Sequence, residues 1–182
     1  PGCMEPVGPI LLARVGGMVV NVRYLALLEA NNLGCLDAFF VTGRGRELDK
    51  PGLDGWRSRV QLDIHVKHDV PVNNDNNVNL AGAGGWSSSV TLFLKRYDRP
   101  PWRVQWNRIT RQGLSHATAW WEWRQIERLF GAGIPVPEPV AIGEEMRSWW
   151  LERRSFLALA AAPGVSLEAW AGRQRQGVDP AV

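Results

Sequence analysis

Two cysteines, three histidines and two tyrosines in 182 residues close off several kinds of chemistry. Cys3 and Cys35 are too few for a disulfide framework or a zinc site. His65 and His68 stand three apart on or beside a strand, so their side chains point to opposite faces and no metal site is expected. Long apolar runs are also missing. The stretch 6–20 is broken by Arg14, and 156–162 is far short of the ~20 residues a membrane-spanning helix needs. No secretory-signal pattern precedes the domain, so the expected location is cytoplasmic. Neither sign of charge dominates: 21 Lys and Arg stand against 18 Asp and Glu, a net +3. What the chain does have is 45% hydrophobic residues and ten tryptophans, enough to build the core of one globular unit.

The most informative segment is LFLKRYDRPP at 92–101. Val90, Leu92 and Leu94 alternate with Thr91, Phe93 and Lys95, which predicts a strand with both faces largely apolar until the lysine. Pro100 and Pro101 close it sharply. An ammonium at the end of a mostly buried strand needs an anionic partner, and Glu122 is the best placed. On this strand alone, a lysine that snorkels to solvent is the commoner outcome.

Glu122 belongs to a predicted helix from Ser115 to about Phe130. Ala119, Trp123, Ile126 and Phe130 form its apolar stripe, Ser115 is the expected N-cap, and Gly131 and Gly133 end it. Glu122 lies along the edge of that stripe. Taken by itself it reads more readily as a solvated helix-flank carboxylate pairing with Arg124 or Arg128. Upstream, Val60, Leu62, Ile64 and Val66 alternate with Gln61, Asp63 and His65, a half-buried strand. Residues 67–89, with the Asn73–Asn79 run and the Gly82–Gly85 cluster, read as a polar insertion before the lysine strand. Gly82, Gly84 and Ser87 imitate a glycine loop, but too few residues separate them from Lys95 to hold a loop and two strands. NVRYLALLEANN at 21–32 reads as a short amphipathic helix leading to DAFF at 37–40.

A strand lysine followed by a helix glutamate is the pair with which kinases grip nucleotide phosphates. The wording here, FLK at 93–95, EWRQIERL at 122–129, GIPVPEPVAIGEE at 133–145, ERRSFL at 152–157 and SLEAW at 166–170, resembles the lipopolysaccharide core kinases of the Kdo/WaaP type. All five motifs occur in order across roughly residues 20–172. The resemblance implies an α+β fold: a protein-kinase-like N-terminal lobe, with a twisted antiparallel sheet and one packed long helix. It implies that Lys95 binds phosphates and Glu122 orients it. Backbone groups of Leu159, Ala160 and Ala161, at the end of strand 155–160, would face the adenine. The basic turn WRSRV at 56–60 would cover the phosphates through Arg57, Ser58 and Arg59, with Gly52 and Gly55 lending flexibility. The two arginines read equally well as a solvated turn.

The same resemblance makes an absence informative. A kinase of this fold needs a catalytic-loop aspartate and Mg²⁺ ligands, and the residues after SLEAW do not supply them; Asp179 lacks the context. The expected organisation is a leader at 1–17, unstructured or non-native, with Met18 as a candidate start. An N-terminal helical extension and first strand follow at 18–50. The nucleotide-binding lobe would occupy 51–160, and the hinge with the start of a missing C-terminal lobe 161–182. The implied cofactor is ATP, with Mg²⁺ only in a longer protein, and the implied acceptor is a lipopolysaccharide core sugar, Kdo or heptose, or another glycan. Lys95, Arg96, Arg99, Arg103, Arg108 and Arg111, against the single Asp98, are interleaved with Trp102 and Trp106, and read as a basic loop. In such a kinase the loop would suit an anionic acceptor and peripheral association with the inner face of the inner membrane. Two other classes stay open: a pseudokinase or scaffold lobe, and a Trp/Arg-rich nucleic-acid-binding module, for which no recognisable motif is present.

Overall fold

The computed structural model describes residues 10–41, 43–48, 52–65 and 89–162. The Gly82–Ser87 pattern, nearly all of the 67–89 insertion, His68 and the SLEAW turn lie outside these residues. Within them, seven strands form one antiparallel sheet: β1 (Leu12–Val15), β2 (Met18–Asn21), β3 (Arg46–Glu47), β4 (Arg57–His65), β5 (Ser89–Asp98), β6 (Pro139–Met146) and β7 (Glu152–Ala160). Their order is β1-β2-β6-β7-β5-β4-β3. Helices α1 (Val22–Ala30), α2 (Trp102–Gln112) and α3 (Thr118–Gly131) and a short 3-10 turn, Leu36–Phe39, complete the described residues. The fold is therefore α+β with an antiparallel sheet, as expected.

The period-2 patterns dictate two apolar layers. Val60, Leu62 and Ile64 of β4, Leu92 and Leu94 of β5, and Phe156 and Ala158 of β7 join Leu28 of α1 and Phe39 of the 3-10 turn in one core. Phe39 stacks on Phe156 with ring centroids 4.1 Å apart. Residues of the other parity, Tyr97, Leu157 and Leu159, meet Ala119 and Trp123 of α3 and Ile142 of β6 in a second core. β7 is central and buried on both faces, which is why SFLALA shows no alternation. Gly143 of β6 is required by packing. A Cβ there would lie 2.4 Å from the Phe156 ring, so any larger residue would displace that ring.

Three expectations need correction. Leu12–Val15 is not part of an unstructured leader: it forms β1, pairing with Met18–Asn21 at the edge of the sheet. The Arg/Trp-rich segment after Pro101 is not a loop but the helix α2. Pro101 closes the strand and also starts that helix, because its carbonyl accepts from Val104 and Gln105 N–H while its own missing N–H costs nothing there. Finally, α3 starts at Thr118 without a side-chain cap, so Ser115 is not the N-cap. The far end behaves as expected. Gly133 has φ +72°, and the Gly133 and Ile134 N–H groups bond back to the Phe130 and Leu129 carbonyls, a Schellman closure.

Candidate functional site

Lys95 projects from β5 on the α3 side of the sheet, where its ammonium contacts Glu122 Oε1. The other carboxylate oxygen, Oε2, accepts from the Tyr97 hydroxyl at 3.0 Å. Tyr97 follows Lys95 by two residues and so shares its face. Burial, and then the Glu122 charge, push the Tyr97 hydroxyl pKa above its ordinary value, so it stays a donor. The pair is half-buried, with the side chains of Lys95 and Glu122 22% and 34% exposed. The lysine is thus neither snorkelling freely nor sealed off.

Arg59 of β4 sits directly opposite Lys95 in the register, Ser58 opposite Arg96, and Arg57 opposite Tyr97. The sequence reading placed these three in a turn; they are instead the first residues of β4, and the turn is the preceding Gly52–Trp56 segment. Two of them still reach the site, because Arg57 and Arg59 share the parity that faces α3. The Arg57 guanidinium lies over the Trp56 ring, 4.8 Å from its centroid. Ser58 is on the opposite face. Two like charges facing each other across adjacent strands repel. Arg57, Arg59 and Lys95 together face one carboxylate, so the surface is arranged to favour an anion.

Next to the cations lies apolar surface. Phe93, two residues before Lys95 on β5, is 38% exposed and stands in register with Leu159 of β7. Leu159 is buried against the α3 core. The N–H groups of Ala160 and Ala161 bond to the carbonyls of Glu138 and Thr91, so these two amides are not free donors. Sequence reasoning missed Tyr97 and Phe93, although the alternation that placed Lys95 places them as well.

It also missed what holds α3. The first N–H groups of a helix need acceptors, and here they come from across the fold. Glu144 Oε2 accepts from Ala117 N–H at 2.8 Å, and Glu152 Oε2 from Thr118 N–H at 2.9 Å and its hydroxyl at 2.7 Å. Both carboxylates also complement the positive end of the helix dipole. The Glu152 side chain is fully buried and lies 3.6 Å from Nε of Arg108 on α2. Ser155 donates to Glu152 Oε1 at 2.6 Å, and Gln105 donates to the Glu152 carbonyl, also at 2.6 Å. Desolvation lowers the Arg108 pKa, the nearby Glu152 charge countering it in part. A second buried arginine, Arg96, on the other face of β5, is likewise lowered by burial. No group of three or more His, Cys, Asp or Glu able to hold a metal ion occurs among the described residues.

A family model described as lipopolysaccharide kinase (Kdo/WaaP) family matches residues 79–182, more than half of the chain. The match takes in Lys95 and Glu122 and begins after β4, so Arg57 and Arg59 stand outside it. Comparison with curated proteins gives no match, and comparison with solved structures gives none either.

Proposed function

The chain belongs to the lipopolysaccharide kinase (Kdo/WaaP) family, and from that footing we propose that the α3-facing side of β4, β5 and β7 binds ATP for transfer to a sugar hydroxyl of the lipopolysaccharide inner core, Kdo or heptose. The observation that carries this reading is the Lys95–Glu122 pair, set opposite Arg59 at the sheet–helix junction. Glu122 occupies one of the three lysine donors and fixes the ammonium, leaving the others for phosphate oxygens. Arg59 and Arg57, opposite Lys95 and Tyr97, add positive charge for the phosphates. Phe93 supplies the exposed apolar surface a purine would cover, with Leu159 buried behind it. The residues therefore fit a nucleoside triphosphate. The magnesium expected with it finds no ligand set among the described residues. The proposed location is cytoplasmic, with peripheral association at the inner face of the inner membrane.

Melting with and without a non-hydrolysable ATP analogue tests the proposal. At ~100 times its Kd the analogue contributes about 2.7 kcal/mol, or a rise in Tm of roughly 5–10 °C. Lys95→Ala should remove that rise while leaving the circular dichroism spectrum unchanged. An unliganded and a nucleotide-treated wild type that melt together would end the nucleotide reading. In a transfer-competent protein, Lys95→Ala should abolish phosphorylation.

A further inference from the structure

Three tryptophans from two separate segments pack together, and a fourth adjoins them in sequence. Trp102 and Trp106 occupy the outer face of α2, 59% and 57% exposed, with ring centroids 6.0 Å apart. Trp150, from the turn between β6 and β7, packs edge-on against Trp102 at 5.7 Å. Its neighbour Trp149 is 71% exposed. So much apolar area in water at one place marks an interaction surface. Apart from Asp98, at its margin, the exposed charge these two segments carry is positive. Arg99, Arg103 and Arg111 flank the first pair, Arg147 opens the turn carrying the second, and all four are exposed. Neither 99–112 nor 147–151 contains a carboxylate. α2 is held from behind by Gln105 and Arg108, both buried, so its tryptophan face is left outward.

We propose that this surface seats the protein on the headgroup layer of an anionic lipid bilayer, with the indoles at the interface and the arginines on lipid phosphates. The idea deepens the functional reading above and rests on it only for why a kinase would need a bilayer. Tryptophan with arginine is the combination that the membrane interface favours. The same residues could suit single-stranded nucleic acid, but base stacking needs free ring faces. Here Trp102 and Trp106 stack on each other and Trp150 covers an edge, leaving a compact wedge in place of a ladder of open platforms.

Sedimentation of the purified chain with vesicles, without nucleotide, provides the test. The chain should pellet with vesicles containing about a third phosphatidylglycerol and stay in solution with pure phosphatidylcholine. Trp102→Ala with Trp106→Ala should cut the partition coefficient by tenfold or more, and Arg103→Glu by at least fivefold, about what one arginine contributes near an anionic surface. A melting curve guards against a folding defect. Trp149→Ala, at the tip of a turn, gives a second variant whose loss should be visible without touching α2. In the wild type, brominated lipids should quench tryptophan fluorescence. Wild type that ignores anionic vesicles, variants that bind as well as wild type, or binding captured instead by an oligonucleotide would each overturn the proposal. None of these outcomes depends on ATP, so the nucleotide reading stands or falls separately.

Discussion

At Lys95 the protein has placed four charged groups and a phenol within one cross-strand neighbourhood, and their inequality is informative. Glu122 is shared between the ammonium and the Tyr97 hydroxyl, so little of its charge remains for Arg59. Removing Arg59 should therefore cost little stability, because it relieves repulsion with Lys95, yet it should weaken anion binding. Arg59→Ala is expected to leave the melting temperature of the free protein within about 2 °C and to weaken nucleotide affinity about tenfold, the scale of one charge-assisted contact. Isothermal titration alongside melting checks both halves. A uniform loss of stability with unchanged affinity would make Arg59 a scaffold residue only.

Among elements, α3 depends most on residues remote from it in sequence. Breaking a buried ion pair by removing one partner strands the other charge. Glu152→Ala should then destabilise by about 3–5 kcal/mol, because the Arg108 guanidinium loses its carboxylate and Thr118 loses its acceptor. Urea denaturation gives the value, and a cost under ~1 kcal/mol would contradict the cluster as described. A second tie shows its dependence on pH. Glu145 links the β6–β7 hairpin through Arg154 Nε at 2.6 Å and through Arg153. Slight burial would raise its carboxyl pKa, but the hydrogen bonds and charges of Arg154 and Arg153 outweigh it and hold the value below the ordinary range. A carboxylate lowered in this way stabilises fully above its unfolded pKa of ~4.3, and the contribution is lost as pH falls through the lower native value. The denaturation midpoints of wild type and Glu145→Gln should therefore differ at pH 7, less so in high salt, and converge toward pH 3.

These elements also show what sequence can and cannot convey. Lys95 and Glu122 were legible because each sits in an unambiguous period, one of two and one of 3.6. α2 was not. Its inward face is Gln105 and Arg108, so no apolar stripe announces a helix, and Pro100–Pro101 reads as a stop when it is both stop and start. Glu152 hides similarly: in ERRS it looks solvated, and only the fold reveals that three elements close over it. The strand β1 was invisible because its four residues alternate exposed and half-buried at a sheet edge, with too little apolar signal to separate them from a tail.

For the whole molecule, one sheet carries an apolar layer on each side, and the central strand β7 belongs to both. Damage to either layer should therefore be felt as one event. Phe39→Ala on the α1 side and Trp123→Ala on the α3 side should each cost about 3–5 kcal/mol and unfold in a single transition by fluorescence and by circular dichroism. Two separated transitions in either variant would mean that the layers are independent units.

Helix α3 is anchored at its beginning, where Glu144 and Glu152 grip its first amides, while Leu129 and Ile134 at its other end are 38% and 47% exposed. Trp123 also holds the middle of the helix in the core, so only a push on the outer end strong enough to shift that packing would turn the rod about Thr118. At 1.5 Å per residue, Glu122 rides about 6 Å from the pivot and the tip about 20 Å. Any tilt imposed at the tip reaches the carboxylate reduced roughly threefold, so a molecule pushing on the outer end must move it far to disengage the lysine.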